Sequence, residues 1–374
     1  MRAHIIYFNF LQPDGNGMSI GGIQTYITNL IPVLRDCGYE VSIYQRSINN
    51  FHQDLEGYDV YGIGHPKNGC PEVAAAILEK ALTHIDAHHD LLIYGCESCI
   101  TRKVPYPTIA IQHGISWDIA QEECSPLRYF RHYVGKCYLA WKTNQRVNKV
   151  DRLVCVDYNF VNWHRAITPY AKTKHIVIPN FAAIPPTLPA KNNDSIRIIF
   201  ARRFFPYRGT RLFAHVATRL LQEYPNLFIT IAGSGPDAAF MHEQLRGIKN
   251  VAFITYNSQN SLTIHQDQDI AVIPTQGSEG TSLSLLEAMA AGCDVVCTNV
   301  GGMTNIVLDG YNGLMTSTDE EAVYDALRRL IDNPSLRTTL QHRAYDTVKE
   351  AFSIDRWAQK WTEVIKSTQN EAVK

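Results

Sequence analysis

GSEGTSLSLLEAMAAG, from Gly277 to Gly292, decides how the second half of this chain folds. The run before it, DIAVIPT (residues 269–275), is typical of a buried strand. The run LSLLEAMAA within it has apolar residues at helical spacing and contains no β-branched residue. The pattern therefore predicts a strand, a short loop and a helix that begins near Ser282.

Two glutamates lie eight positions apart in this stretch. Glu279 falls at the carboxyl end of the predicted strand, and Glu287 falls about two turns into the predicted helix. The helix N-terminus between them presents unpaired N–H groups and partial positive charge, which favour an anion. Each carboxylate can accept hydrogen bonds from hydroxyl groups on its side of that anion. The order hydroxyls, anion, hydroxyls is that of a sugar–diphosphate–ribose.

The stretch resembles the E-x7-E signature of retaining glycosyltransferases with the GT-B fold, and of glycosyltransferase family 4 in particular. The resemblance implies that Glu279 contacts the donor sugar and that Glu287 holds the ribose hydroxyls. It also implies an α/β protein with two Rossmann-like parallel-sheet domains that face each other across a cleft, and a last helix that crosses back to the N-terminal domain. The implied donor-binding residues between the glutamates are Gly280, Thr281, Ser282 and Leu283.

Size and composition indicate an ordinary globular protein of two domains. The chain has 374 residues, of which 45% are hydrophobic and 19% charged, and its net charge of −1 does not favour non-specific nucleic-acid binding. Of the nine cysteines, Cys96 and Cys99 are separated by two residues, but no second such pair completes a zinc site, which indicates reduced thiols. We expect a cytoplasmic protein, free or at the membrane face, because no window approaches a membrane span and the N-terminal apolar run is too short for a signal peptide.

Apolar runs alternate with helical patterns throughout the chain, which predicts parallel sheets with crossover helices. A proline-rich stretch interrupts this alternation and is typical of a linker. The predicted boundaries are residues 1–180 with a C-terminal helix at about 354–374, a linker at 181–195, and a second domain at 196–353.

Basic residues follow the first strand of the second half, in ARRFFPYRG. The segment resembles the family pattern GRxxxxKG, which implies that Arg203 and Arg208 bind the diphosphate and stabilise the leaving group. Arg202 stands where the pattern has Gly, and we expect Arg202 and Arg211 at the surface. No metal or other cofactor is expected, because Asp267-Gln-Asp269 fits the start of a strand and the arginines can replace a cation.

Two further motifs in the first half match the family. Gly21 and Gly22 precede a predicted helix, and the resemblance implies that this turn lies beside the donor diphosphate and the acceptor. His113 follows a strongly apolar strand, and the resemblance implies that it touches the donor sugar and stabilises charge at the anomeric carbon. The implied catalytic residues are His113, Glu279, Arg203 and Arg208, and the implied reaction is front-face substitution with retention.

The segment from Ser125 to Val150 contains six Lys or Arg residues and no Asp or Glu. At helical spacing, five of them fall in a stripe roughly 60° wide beside an apolar and aromatic face. The favoured interpretation is that the apolar face packs into the N-terminal domain. The alternative is peripheral contact with an anionic membrane through Arg128, Arg131, Lys142 and Arg146.

These patterns together predict a retaining, metal-independent hexosyltransferase. It would use a nucleotide-diphosphate sugar and a glycan or lipid-linked acceptor, in the biosynthesis of a cell-surface polysaccharide or glycoconjugate. A sugar-nucleotide epimerase with the same fold and a non-catalytic nucleotide-sugar-binding module remain alternatives. An oxidoreductase is disfavoured, because no dinucleotide fingerprint follows the first strand.

Overall fold

Strands and helices alternate along the whole described chain. The computed structural model describes residues 1–67, 71–86, 89–119, 125–168, 173–191, 195–257 and 260–372. Residues 192–194, which belong to the predicted linker, lie outside the described residues. Among the described residues, no helix is long and apolar enough to cross a membrane.

Among the described residues, the first sheet has eight strands in the order β3-β4-β2-β1-β5-β6-β7-β8. Seven of them run parallel, and β3 pairs antiparallel with β4 at the edge. The central strands are rich in apolar residues and buried along nearly their whole length, as expected of strands covered on both faces. Their bounds are β1 (Arg2–Ile6), β2 (Glu40–Ser47), β3 (Phe51–Leu55), β4 (Tyr58–Gly64), β5 (Leu91–Tyr94), β6 (Thr108–Gln112), β7 (Arg152–Cys155) and β8 (Lys174–Val177).

The second sheet has, in the part of the chain that the structure describes, six parallel strands in the order β11-β10-β9-β12-β13-β14. Its chain order reverses between β9 and β12, and parallel α/β sheets bind ligands at the carboxyl ends of strands beside such a point. The bounds are β9 (Arg197–Ala201), β10 (Phe228–Ala232), β11 (Val251–Ile254), β12 (Ile270–Ile273), β13 (Asp294–Thr298) and β14 (Leu314–Thr316).

Helices connect most of these strands, and their apolar faces complete the two cores. The described residues form α1 (Gly22–Asp36), α2 (Pro71–Leu82), α3 (Pro126–Val147), α4 (Tyr158–Ile167), α5 (Thr210–Glu223), α6 (Ala238–Gln244), α7 (Thr263–Gln266), α8 (Leu283–Ala290), α9 (Glu320–Ile331), α10 (Pro334–Ala351) and α11 (Ile354–Ala372).

The chain divides into two compact units. The first contains Met1–His113, Cys124–Ile178 and Trp357–Lys374, and the second contains Gly114–Glu123 and Pro179–Arg356. Most of α11 therefore belongs to the first unit, where Trp361 donates from Nε1 to the hydroxyl of Tyr26 on α1 over 2.8 Å. The predicted return of the last helix to the N-terminal domain is confirmed.

The prediction for the basic segment is wrong in one respect. Its helix, α3, does not bury its apolar face: Leu127, Phe130 and Trp141 are 71%, 62% and 57% exposed. The buried residues of α3 are Thr143 and Val147 near its end. The favoured interpretation fails because only the last turns of α3 pack against the rest of the first unit. Periodicity alone does not tell which turns of an amphipathic helix pack against other elements.

Candidate functional site

The carboxyl ends of β9 and β12 bring Glu279 and two arginines together in the second unit. Arg202 follows β9 directly and donates through Nη2 to Glu279 Oε2, which also accepts from Nη1 of Arg208. The side chains of Arg202, Glu279 and Arg208 are 7%, 10% and 17% exposed. Two cations therefore share one nearly buried carboxylate, and the cluster carries a net positive charge.

Arg202 is the most enclosed member of this cluster. Its Nη2 also donates to Thr275 Oγ1 over 2.7 Å, and its Nη1 donates to Ser282 Oγ over 2.9 Å. The expectation that Arg202 lies at the surface is wrong, because acceptors from the segment between β12 and α8 solvate its guanidinium in place of water. Arg211 is largely exposed, as expected, and pairs with Asp237.

The charge state of Glu279 follows from these neighbours. Burial acts to raise the pKa of Glu279, but Arg202 and Arg208 outweigh burial and hold the pKa below its ordinary value. Burial lowers the pKa of Arg202, and Glu279 counteracts that effect. Near neutral pH the cluster is one carboxylate held between two guanidinium groups.

The backbone around Glu279 is tightly enclosed. Ser278 adopts a left-handed conformation with φ of 53°, which is uncommon for a residue other than Gly. A Cβ built on Gly114 would lie 2.7 Å from the backbone nitrogen of Gly280. A Cβ built on Gly302 would lie 2.4 Å from the carbonyl carbon of Gly280. Glycines on both sides therefore allow two other backbone segments to contact the loop that carries Glu279.

The loop continues into α8 as predicted. Ser282 is the N-cap, and its hydroxyl accepts from Arg202 rather than from the first amides of its own helix. Thr281 is held by Asn180, whose backbone N–H donates to the Thr281 hydroxyl over 2.8 Å. Leu283 begins α8 and is half-buried. The partial positive charge of this helix N-terminus adds to that of the arginines.

Glu287 lies one turn beyond Leu283 on α8 and is separate from the arginine cluster. Its Oε1 accepts a hydrogen bond from the Ser261 hydroxyl over 2.8 Å. Burial raises the pKa of Glu287 to about 7, and the Ser261 bond acts against that shift. Tyr256, whose pKa burial raises to about 12, interacts electrostatically with Glu287. Glu287 is therefore a carboxyl group that exchanges its proton near neutral pH.

Arg203 differs from Arg202 and Arg208 in its surroundings. Its side chain is exposed, and its guanidinium lies 5.4 Å from the centre of the Phe205 ring. The structure therefore brings Arg208 to Glu279 and leaves the Arg203 cation in solvent. The predicted role of Arg203 in diphosphate binding stays a prediction.

His113, Gly21 and Gly22 belong to the first unit. The Nε2 of His113 donates to the carbonyl oxygen of Gly95 over 2.9 Å, and burial lowers the pKa of His113 to about 4. His113 is thus neutral at physiological pH, with its proton on Nε2. Its ring packs edge-to-face against Tyr26 of α1, the helix that Gly21 precedes as N-cap.

Sequence reasoning missed four contributors to this arrangement: Arg202, Asn180, Ser261 and Gly302. Arg202 carried a usable signal, because it directly follows a predicted strand at the edge where ligands bind. Asn180 and Ser261 act through partners 101 and 26 positions away, which no local pattern reveals. Among the described residues, no group of three or more His, Cys, Asp or Glu side chains is arranged to hold a metal ion.

The chain is similar to known glycosyltransferases. A family model described as glycosyl transferases group 1 matches residues 188–347. A D-inositol 3-phosphate glycosyltransferase of Paenarthrobacter aurescens is 29% identical over an alignment of 380 positions, gaps included, which covers 90% of this chain and 91% of the relative.

Solved structures extend the likeness to nearly the whole chain. A sucrose-phosphate synthase from Thermosynechococcus elongatus has a TM-score of 0.79 at 16% identity, with 98% of each chain covered. Anabaena HepE, solved in complex with UDP-glucose, has a TM-score of 0.71 at 14% identity and covers 98% of this chain and 100% of its own. At these identities the likeness establishes the fold, and the predicted GT-B class is confirmed.

Proposed function

We propose that this chain transfers a hexose-type sugar from a nucleotide-diphosphate sugar to a glycan or glycolipid hydroxyl, and the match of residues 188–347 to the model of glycosyl transferases group 1 supports this proposal. The observation that carries the proposal is the net positive cluster of Arg202, Arg208 and Glu279 at the N-terminus of α8, with Glu287 further along the same helix. The complex of HepE with UDP-glucose supports a nucleotide-sugar donor. We place the reaction in cell-surface polysaccharide or glycoconjugate biosynthesis.

Each part of this site has a role in the proposed reaction. Arg203, Arg208 and the α8 amides bind the diphosphate, whose charge grows as the sugar–oxygen bond breaks. Glu279 accepts hydrogen bonds from the sugar hydroxyls, and Glu287 accepts them from the ribose. The arginines supply the positive charge that a metal ion supplies in other transferases, so the proposed reaction needs no metal.

The proposed stereochemical outcome is retention by front-face substitution, in which the departing phosphate oxygen takes the proton of the acceptor hydroxyl. His113 contributes as a neutral imidazole, because its low pKa prevents a repulsive positive charge from forming beside the anomeric carbon. Gly21 and Gly22 allow a backbone approach to the diphosphate and the acceptor.

The test of this function is a binding screen followed by an activity assay. We expect UDP-glucose or a related nucleotide sugar to raise the melting temperature, since a ligand selective for the folded state stabilises it. Release of the nucleoside diphosphate that depends on an acceptor would separate a transferase from an epimerase or a binding module. The absence of any shift across UDP, GDP and their sugars would contradict the proposal.

Binding of a nucleotide sugar should also strengthen with rising pH. The ribose diol favours the ionised form of Glu287, so binding releases a proton below the pKa of about 7. The ionised fraction rises about tenfold between pH 6 and pH 8, and we expect the affinity for UDP-glucose, measured by titration calorimetry, to rise by about that factor. A diphosphate diester does not itself titrate in this range, and Glu287→Gln should remove the pH dependence. A pH dependence that survives in Glu287→Gln would refute the assignment.

We further propose that α3 holds the protein at an anionic membrane surface near a lipid-linked acceptor. Exposed aromatic side chains occupy most of the helix before Thr143, including Phe130, Tyr138 and Trp141. Arg128, Arg131, Lys142 and Arg146 run beside them, and no acidic residue occurs on the helix. An apolar aromatic face flanked by basic residues is complementary to anionic lipid headgroups and the acyl boundary below them.

Charge-reversed variants test whether the basic residues of α3 bind an anionic membrane more strongly than exposed basic residues elsewhere do. Arg128→Glu, Arg131→Glu, Lys142→Glu and Arg146→Glu together should reduce co-sedimentation with phosphatidylglycerol-containing vesicles at least about tenfold, at roughly 1 kcal/mol per basic residue. The matched control reverses four exposed residues elsewhere, Arg246, Lys249, Arg329 and Lys349. Equal loss in both variants, or concentration-dependent self-association without vesicle binding, would contradict the membrane contact.

A further inference from the structure

Arg202 and Arg208 contact the same carboxylate oxygen in different ways. Arg202 is fixed by Glu279, Thr275 and Ser282, and it follows β9 without an intervening turn. Arg208 donates to Glu279 from a short turn, Pro206–Arg208, is more exposed, and lies over the Tyr207 ring at 5.0 Å. Arg202 is thus held in place by several acceptors, whereas Arg208 is positioned to exchange one anionic partner for another.

The charges of the site balance when the two arginines are given separate tasks. In the free protein, the single charge of Glu279 faces both guanidinium groups. A diphosphate would face Arg203 and Arg208, one cation for each ionised phosphate. Glu279 then keeps Arg202 as its counter-ion. Without Arg202, the movement of Arg208 to the diphosphate would leave a nearly buried carboxylate unpaired, which is strongly unfavourable.

We propose that Arg202 is a positioning residue that holds and compensates Glu279 while Arg208 is transferred from Glu279 to the diphosphate of the donor. This inference deepens the proposed function and rests on its assignment of Arg208 to the diphosphate. It explains why an arginine stands where the pattern that this segment resembles has Gly. When the donor binds, the carboxylate of Glu279 is already oriented. The guanidinium of Arg208 leaves this carboxylate only when a competing anion is present.

The charged groups around Glu279 determine how the proposal is tested. Arg202 and Arg208 both lower its pKa against burial, and Tyr256 acts on Arg202 from the loop after β11. Arg202→Met removes one of the two cations that lower the pKa of Glu279, so this pKa should rise. Arg202→Lys should restore the low pKa in part, because a lysine keeps the charge but not the fork of donors.

The first arm of the experiment needs no donor. Carboxyl carbon shifts of ¹³C-labelled glutamate, assigned to Glu279 by comparison with Glu279→Gln, should give a pKa below the ordinary value of a glutamate in the wild type. In Arg202→Met the pKa of Glu279 should be higher than in the wild type. A control, Arg219→Met, removes an exposed arginine paired with Glu321 in the same unit and should leave the pKa of Glu279 unchanged. The same pKa of Glu279 in Arg202→Met and in the wild type overturns the proposal.

The second arm measures UDP-glucose binding by calorimetry. At pH 8, Arg202→Met should bind at least about tenfold more weakly than the wild type and take up more protons on binding, because Glu279 must protonate when Arg208 leaves it. Adding Glu279→Gln to Arg202→Met should recover part of this loss. If the double variant recovers nothing, Arg202 contacts the donor directly and the positioning role is wrong. If the wild type binds no nucleotide sugar, the proposed function fails, and the first arm still decides the role of Arg202.

Discussion

Replacement of Glu279 with alanine is expected to lower the free energy of unfolding by about 3 to 5 kcal/mol and to weaken binding of a nucleotide sugar. The stability loss arises because the guanidinium of Arg202 stays buried without its counter-ion, which is the costly way to break a buried ion pair. Binding is weakened because alanine offers no oxygen atom to accept hydrogen bonds from the sugar hydroxyls. Urea unfolding and calorimetry with UDP-glucose measure the two effects.

A matched control separates this effect from the loss of any salt bridge. Glu321→Ala removes the exposed partner of Arg219 in the same unit and should change stability by less than about 1 kcal/mol. The double replacement of Glu279 and Arg202 with methionine should recover most of the stability, since no unpaired charge remains. A loss in Glu279→Ala no larger than that in Glu321→Ala would show that water reaches the arginines and that the cluster is not buried in solution.

Gly302→Ala should have the second-largest effect, through the backbone rather than through charge. The added Cβ would lie 2.4 Å from the carbonyl carbon of Gly280 and 2.5 Å from the nitrogen of Thr281. Backbone atoms cannot rotate away as a side chain can, so the loop that carries Glu279 must shift. We expect a loss of about 1 to 3 kcal/mol in stability, typical of overpacking, and at least tenfold weaker binding of UDP-glucose.

The control for this prediction is Gly135→Ala on α3, where a Cβ meets no atom within 4 Å. That change should stabilise the protein slightly, by about 0.5 to 1 kcal/mol, because alanine is the better residue inside a helix. Both glycines have ordinary backbone angles, so the comparison isolates the clash. Unchanged donor binding in Gly302→Ala would mean that the position of the Glu279 loop is not important for the site.

The buried framework was accessible to sequence reasoning because its signals are local. The predicted strand at 269–275 contains β12 (Ile270–Ile273), and α8 begins at Leu283, next to the predicted start near Ser282, since a continuous apolar run and helical periodicity mark them directly. The edge strands β3 and β4 give a weaker signal. The strand β3 is short and mostly polar, and β4 contains Gly62 and Gly64, which are also typical of turns and loops.

Sequence reasoning could place these side chains in the secondary structure, but it could not give their contacts. The pattern put Glu279 after a strand and Glu287 two turns into a helix, and the resemblance pointed to Arg208, but their roles in donor binding stay predictions. The burial of Arg202 could not be predicted, because its acceptors Thr275 and Ser282 lie 73 and 80 positions away. A guanidinium is buried only when distant segments supply acceptors, so this outcome depends on the tertiary structure.

The hydrogen bond between Trp361 and Tyr26 joins residues 335 positions apart, and it makes the first unit dependent on the last helix. During synthesis, Tyr26 leaves the ribosome long before Trp361, so the surface of α1 that Trp361 covers stays exposed until α11 has emerged. The second unit consists mostly of the continuous segment Pro179–Arg356 and does not include Trp361. Because the chain is made from its N-terminus, the first unit cannot complete its fold until after the second unit has emerged, and a premature stop before α11 would leave the first unit to chaperones and proteases.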